Sequence, residues 1–405
     1  MFDCPNKLNI IFDKLYLFGI KPIIVGGYIR DNILELDSKD IDIELYGLDS
    51  LEVLENILQE FGDINTVGKS FGVCKLNFHD LELDFSLPRE DSKIGSGHKG
   101  FSVITDKNLD FTSAASRRDF TVNAMGYDVR EQKLLDPFGG QKDIQNKILR
   151  AVDMDKFVED PLRILRGIQF SSRFNFKLDE ELFELFKKLI KKNILEELPK
   201  ERIYEELKKM LLKSSSPSIG LVLLKRLNLM EHFGFSENYE QVDYFAKHKT
   251  EDEKLNILIF LSLIYAREKL GFIKKLSNEL KLLTHISLYI EIQKDFDIDD
   301  SSAYTLYTLA KKVNIGHFLL YLDAYHAGKQ TYQINILKDN AKTLSIFDSP
   351  LAALIQGKEL IKCGLIPSKK FSEILLQTYE AQKKGKFKTP KEAQKWLKNY
   401  LTSLS

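Results

Sequence analysis

The residues of this chain best spaced for chemistry are the acids of an alternating run, Asp40-Ile41-Asp42-Ile43-Glu44-Leu45. In a strand, successive side chains point to opposite faces, so Asp40, Asp42 and Glu44 share one face and Ile41, Ile43 and Leu45 the other. The apolar face can lie on a core. The acidic face sets carboxylates two residues apart, about 7 Å along the strand. Divalent cations between them would relieve the repulsion, and hard oxygen ligands suit Mg²⁺. A second candidate strand, residues 81–87, puts Glu82, Asp84 and Ser86 on one face. Upstream, Gly26-Gly27 precedes a helix carrying Arg30 and Asp31. Such a turn answers a need for positive φ, and it also suits a triphosphate, because helix N–H groups point outward there. Three carboxylates near a triphosphate are what two-metal phosphoryl or nucleotidyl transfer requires.

The elements that must hold these residues follow from periodicity. Leu8, Ile11, Phe12, Leu15 and Phe18 predict an amphipathic helix over 5–18. Residues 22–25 read as a buried strand, 28–36 and 51–61 as helices, and 73–78 with 81–87 as a hairpin turning at His79-Asp80. Residues 88–116 read as a long polar connection around Gly95-Ser96-Gly97-His98-Lys99-Gly100, a length that marks functional loops. Residues 1–146 thus form one mixed α/β domain. Beyond residue 150 helical periodicity takes over, with Pro161, Pro199, Pro217, Pro350, Pro367 and Pro390 mostly where helices should start. Joints at Ser214–Pro217 and Asp348–Pro350 divide this part into 147–215, 216–348 and 349–405.

Composition narrows the classes. The 405 residues are 43% hydrophobic and 29% charged with zero formal net charge, so attraction for nucleic acid must come from local patches. Residues 187–213 hold nine Lys/Arg against five Glu, and 369–398 nine Lys against three Glu, runs suited to a phosphate backbone. Cys4, Cys74 and Cys363 are scattered and odd in number, which points to a reducing compartment. The apolar run around 255–266 is shorter than the ~20 residues that span a bilayer, and the N-terminus lacks a secretory pattern. The expectation is a cytoplasmic protein with no membrane partner.

GGYIRD followed by DIDIEL resembles the nucleotidyltransferase signature of the DNA polymerase β superfamily. RRDFTVNAM, LLDPFGGQKDI with ILRAV, EDPLRILRGIQFSSRF and PKERIYEEL resemble, in order, further motifs of the class II tRNA nucleotidyltransferases, the CCA-adding enzymes and their poly(A) polymerase relatives. The likeness covers residues 20–210, and GKELIKCGLIPSKKFSEIL resembles the family's tail more loosely. It implies an α+β fold: a nucleotidyltransferase head (1–146) with a mixed β-sheet and helices, then an elongated all-α neck (147–215), body (216–348) and basic tail (349–405). It implies Mg²⁺-dependent, template-free addition of CCA to the tRNA 3′ end from CTP and ATP, with body and tail binding tRNA.

The resemblance also implies site roles. Asp40 and Asp42 are metal ligands, with Asp84 the third carboxylate, Glu82 its competitor and Glu44 set aside. Gly26, Gly27 and Arg30 hold the triphosphate, and Arg118, Asp119 and Asn123 contact sugar or phosphates. Asp160 and Arg163 read the base, with Arg166 packing or bonding nearby. A CC-adding or A-adding specialist and a poly(A) polymerase are the alternatives, and a non-catalytic RNA-binding protein on the same scaffold is disfavoured because Asp40 and Asp42 are intact. Val67–Gly72 stands where a poly(A) polymerase carries a basic GRRF-like segment, and the 88–116 connection argues against a CC-adding specialist.

Base reading by Asp160 and Arg163 has a physical basis of its own. Three residues apart on a helix, they share a face. A carboxylate accepts from an exocyclic amine and a guanidinium donates to a ring nitrogen, which matches cytosine and adenine and mismatches uracil and guanine. The competing role for Asp160 is a plain N-cap before Pro161.

Overall fold

The computed structural model describes residues 5–48, 50–65, 73–93, 101–265 and 280–404. The Val67–Gly72 segment and the 95–100 glycine-rich stretch lie outside them. The chain divides into two compact units, Met1–His232 and Phe233–Ser405.

The first unit is built on a seven-stranded sheet of β1 (Lys21–Val25), β2 (Asp40–Tyr46), β3 (Ile64–Asn65), β4 (Val73–Phe78), β5 (Leu81–Ser86), β8 (Gly126–Asp128) and β9 (Lys133–Leu135). Their order is β3-β4-β5-β2-β1-β8-β9. All neighbours run antiparallel except β2 and β5, which are parallel. Ile24, Ile41, Ile43, Leu83 and Phe85 are buried, so the apolar faces of the alternating strands supply the core. The β4–β5 hairpin turns at His79, which adopts the left-handed conformation. Helices α1 (Asn9–Leu17) and α3 (Leu51–Leu58) pack with the sheet through β1 and β4, and α2 (Gly27–Ile33) joins β1 to β2.

The stretch 88–116 is more structured than a polar connection. Strands β6 (Arg89–Lys93) and β7 (Phe101–Thr105) pair antiparallel in a small sheet of their own. Helix α4 (Phe111–Ala115) follows, its N-terminus capped by Asp110, which accepts from the Ser113 amide at 3.0 Å. The run Arg-Glu-Asp-Ser-Lys has no apolar alternation, so periodicity could not reveal β6.

After α5 (Gly140–Asn146), β10 (Ile148–Leu149) and α6 (Met154–Phe157), the helical part begins with α7 (Leu162–Phe174). It continues through β11 (Lys177–Leu178), α8 (Glu180–Ile190), α9 (Lys200–Lys213) and α10 (Ser218–Arg226). Pro161, Pro199 and Pro217 stand at the N-termini of α7, α9 and α10, as expected of a residue that lacks an N–H. Helix α7 packs against α9 and α10. At Gly167 a Cβ would meet the Phe186 ring at 2.7 Å, so glycine lets α8 approach α7. The Phe120 ring meets Phe157 and Phe170, tying the sheet unit to α7. Residues 216–232 belong to this first unit through α10, beyond the joint expected at 214–217.

The second unit is helical, from Tyr239–Lys247 to Pro390–Leu404. Tyr289, Phe318 and Tyr321 pack together in its interior. Near the C-terminus, Leu360, Phe371, Ile374, Ala393 and Leu397 form a buried cluster, and Trp396 packs against it. No helix among the described residues is long and apolar enough to cross a membrane.

Candidate active site

Strand register brings the acids together. Asp42 lies opposite Asp84 and Asp40 opposite Glu82, across the parallel β2–β5 pair. Asp40 and Asp42 are open to a cleft of about 750 Å³, whose walls also carry Glu82 and Asp84. Lys75, opposite Asp84 on β4, ion-pairs with it. Among the described residues no ready cage of three metal-ligating side chains stands together. The donor chemistry nonetheless fits a hard dication. Loss of solvation raises the pKa of Asp42; Arg118 opposes the shift, and Asp84 and Glu44 add to it by repulsion. A dication would offset both effects.

The glycine turn faces this acid. Gly26 has φ 75° and ψ −133°, and a Cβ there would lie 2.8 Å from Arg118 Nη1 and 3.4 Å from Asp42 Oδ2. Its own N–H donates to the Met125 carbonyl at 3.1 Å. What Gly26 contributes is therefore close approach of backbone to Asp42.

Glu44 parts company with its strand neighbours. It is 0% exposed, and its Oε1 accepts from Arg117 Nη2 at 3.1 Å and Arg118 Nη2 at 3.0 Å. Its Oε2 accepts from the Tyr46 hydroxyl at 3.1 Å. Glu44 thus anchors Arg118 beside Gly26 and Asp42, a role that strand alternation alone did not suggest.

A second network joins α2 to α7. Arg30, 4% exposed, donates Nε to Asp31 Oδ1 at 2.8 Å and Nη1 to Asn123 Oδ1 at 2.5 Å, and its guanidinium covers the Phe174 ring at 4.5 Å. Asn123 Nδ2 donates to Asp119 Oδ1 at 3.0 Å, and Arg166 Nε donates to Asp119 Oδ2 at 2.7 Å. Burial alone would raise the pKa of Asp119, but Arg166, Asn123 and the Phe120 amide outweigh it and hold the carboxyl below its usual value. Arg30 and Asp119 are therefore engaged with protein partners.

The far wall of the cleft is helical and largely basic. It carries Arg166, Gln169 and Arg173 from α7, with Glu206, Lys209 and Lys213 from α9. Apart from Arg166, sequence reasoning assigned none of these to the site. The basic run 187–213 was the available signal for the two lysines.

Asp160 and Arg163 are not among the residues lining this cleft. Asp160 Oδ1 accepts from the Leu162 amide at 3.1 Å, and its Oδ2 lies 3.6 Å from Arg202 Nη2. Arg163 donates Nη1 to the Lys156 carbonyl at 2.9 Å and Nη2 to the Arg117 carbonyl at 2.8 Å. The helix-capping contact expected of Asp160 is present.

Residues 23–150 match the family described as Poly A polymerase head domain, and residues 175–234 match the one described as Probable RNA and SrmB- binding site of polymerase A. A "Multifunctional CCA protein" of Haemophilus ducreyi is 35% identical over 211 residues, 51% of this chain and 48% of that protein. Over these segments the chain is similar to the CCA-adding enzymes and poly(A) polymerases.

A CCA-adding enzyme of Francisella tularensis is 35% identical over 216 residues, 52% of this chain and 56% of that one. The chain spans about half the length of the curated relatives it matches. Among solved structures, a Bacillus stearothermophilus CCA-adding enzyme in complex with CTP superposes with a TM-score of 0.78 at 19% identity over 99% of both chains. A Thermotoga maritima CCA-adding enzyme complexed with tRNA gives 0.66 at 22% identity, over 100% of this chain and 97% of that one. At such identities the likeness is one of fold, and the α+β architecture expected from the motifs is the one found.

Proposed function

We propose that this chain is a cytosolic tRNA nucleotidyltransferase that adds C, C and A to the tRNA 3′ end from CTP and ATP, with Mg²⁺ and no template, releasing diphosphate. The observation that carries the reading is the cleft itself. Asp40, Asp42 and Asp84 occupy its sheet wall and Arg166, Arg173, Lys209 and Lys213 its helical wall. That is a place for a metal-bound triphosphate and an RNA end.

In this reading Asp40 and Asp42 hold the cation, and Asp84 joins them by exchanging Lys75 for it. When bound, Mg²⁺ activates the attacking 3′-hydroxyl and neutralises charge on the transferring phosphoryl group. Gly26 and Gly27 let the triphosphate approach the backbone, while Arg118, held by Glu44, stands next to Asp42. Arg30, Asp119 and Asn123 fix the angle between α2 and α7, and Arg166 is placed by Asp119. The basic far wall faces the charge of the incoming nucleotide and the RNA backbone.

The test is incubation with tRNA lacking its last three nucleotides and with CTP, ATP or both. Full CCA addition requires both nucleotides and stops after three. Two additions from CTP alone with no further growth would make the chain a CC-adding specialist. Long adenosine tails would make it a poly(A) polymerase.

Base selection by Asp160 and Arg163 belongs to the same proposal. It requires both side chains to leave their present bonds when a nucleotide enters. Arg163→Ala should then raise the use of UTP relative to CTP by roughly tenfold or more. Unchanged discrimination would leave Asp160 as the helix cap alone.

A further inference from the structure

We propose that Lys75 and the divalent cation compete for the Asp84 carboxylate, so that this lysine sets how tightly the cleft takes its metal. The inference rests on the nucleotidyltransferase reading of the cleft and adds to it a residue that governs metal loading.

Lys75, Asp84 and Asp42 form one row across three neighbouring strands. Lys75 on β4 lies opposite Asp84 on β5, and Asp84 lies opposite Asp42 on β2. Residues opposite one another in a ladder share a face, and all three line the cleft. The next row is Asn77, Glu82 and Asp40. Of the two acids that β5 brings to the cleft, Asp84 faces a cation on β4 and Glu82 faces an amide. The Lys75 ammonium ion-pairs with Asp84 Oδ2. That hydrogen bond raises the pKa of Lys75; loss of solvation opposes the rise, and the charges of Asp84, Asp42 and Glu82 add to it. One ammonium thus stands in the field of three acids of the cleft.

A dication shared by Asp42 and Asp84 needs the same carboxylate. Carboxylate oxygens are the ligands a hard dication takes, and Lys75 already holds one of them. The cation must displace the ammonium or share Asp84 with a like charge. Displacement is within reach, because the Lys75 side chain is 52% exposed and that of Asp84 30%. Exposed ion pairs hold weakly, and the lysine head rides on a flexible stem. Lys75 thus acts through Asp84, as a positioning residue whose removal helps the metal to bind. A lysine that merely supported Asp84 would have the opposite effect.

Titration of the full chain with Mn²⁺, without nucleotide, tests this apart from turnover. Binding is read from the loss of the free-ion electron paramagnetic resonance signal. Mn²⁺ bound by the wild type and lost in Asp42→Asn reports the cleft. Lys75→Met, which keeps the length of the side chain without its charge, should tighten that binding roughly tenfold. Lys75→Gln should do the same and covers the case in which Lys75→Met fails to fold. In the Asp84→Asn background there is no carboxylate to contest. There Lys75→Met should tighten binding by no more than about threefold, the share left to repulsion through space. Unchanged or weaker Mn²⁺ binding in both Lys75 variants would overturn the competition and leave the transferase reading standing. So would the full gain persisting in the Asp84→Asn background. A wild type that binds no Mn²⁺ through Asp42 would remove the metal reading and the competition together.

Discussion

Asp42→Asn should lower nucleotide transfer by roughly 10³-fold or more while the thermal midpoint at neutral pH stays level or rises. The two halves of this result have one cause. Partial loss of solvation between the cleft walls, and then repulsion from Asp84 and Glu44, disfavours the ionised carboxylate more than Arg118 favours it. With its folded pKa above the ordinary value, Asp42 weakens the fold once the pH exceeds that of an unperturbed carboxylate, and an amide removes this penalty. The same charge is what a divalent cation needs. Transfer assays and thermal denaturation on one preparation measure both. Wild-type turnover in the variant would place the metal elsewhere. A midpoint lowered by several degrees would make Asp42 a structural residue of the sheet.

Glu44→Gln is the opposite case. Here the carboxylate is buried and neutralised by Arg117 and Arg118, with Tyr46 donating to it. Removing its charge leaves two guanidinium groups facing a neutral amide, and breaking such a buried arrangement costs about 3–5 kcal/mol. Burial alone would raise its pKa, but Arg118, Arg117 and Tyr46 together hold it below the usual glutamate value. The stability it contributes is therefore present above the unfolded pKa of ~4.3 and is lost as pH falls through the lower folded value. The wild type should show that acid limb, and Glu44→Gln should flatten it. Equal denaturation midpoints and parallel pH profiles for the two proteins would refute the anchoring role.

The contrast between these two residues shows what one sequence can disclose. Alternation over 40–45 correctly separates Ile41 and Ile43, in the core, from Asp40 and Asp42, open to the cleft. It places Glu44 with the open acids as well, and there it misleads. The arginines that cover Glu44 lie more than seventy residues downstream, and no local pattern reports such a contact. Helix starts at Pro161, Pro199 and Pro217 were legible because capping is a local event. The adjacency of Asp42 and Asp84 depends on β2 running parallel to β5, a pairing that periodicity does not encode. Gln169 and Glu206 are harder still. Each sits on an ordinary amphipathic helix, and their meeting at one cleft follows only from α7 packing on α9.

The hydrogen-bonded series Asp31–Arg30–Asn123–Asp119–Arg166 has a mechanical meaning. It runs from the glycine turn to the middle of α7 through buried charges and one amide, with no exposed link before Arg166. Such a series ties α2 to α7 through charge and not through apolar packing. Arg166 is its one partly exposed member, and it also lines the cleft, so the end of the series that meets solvent is the end nearest the acids of β2.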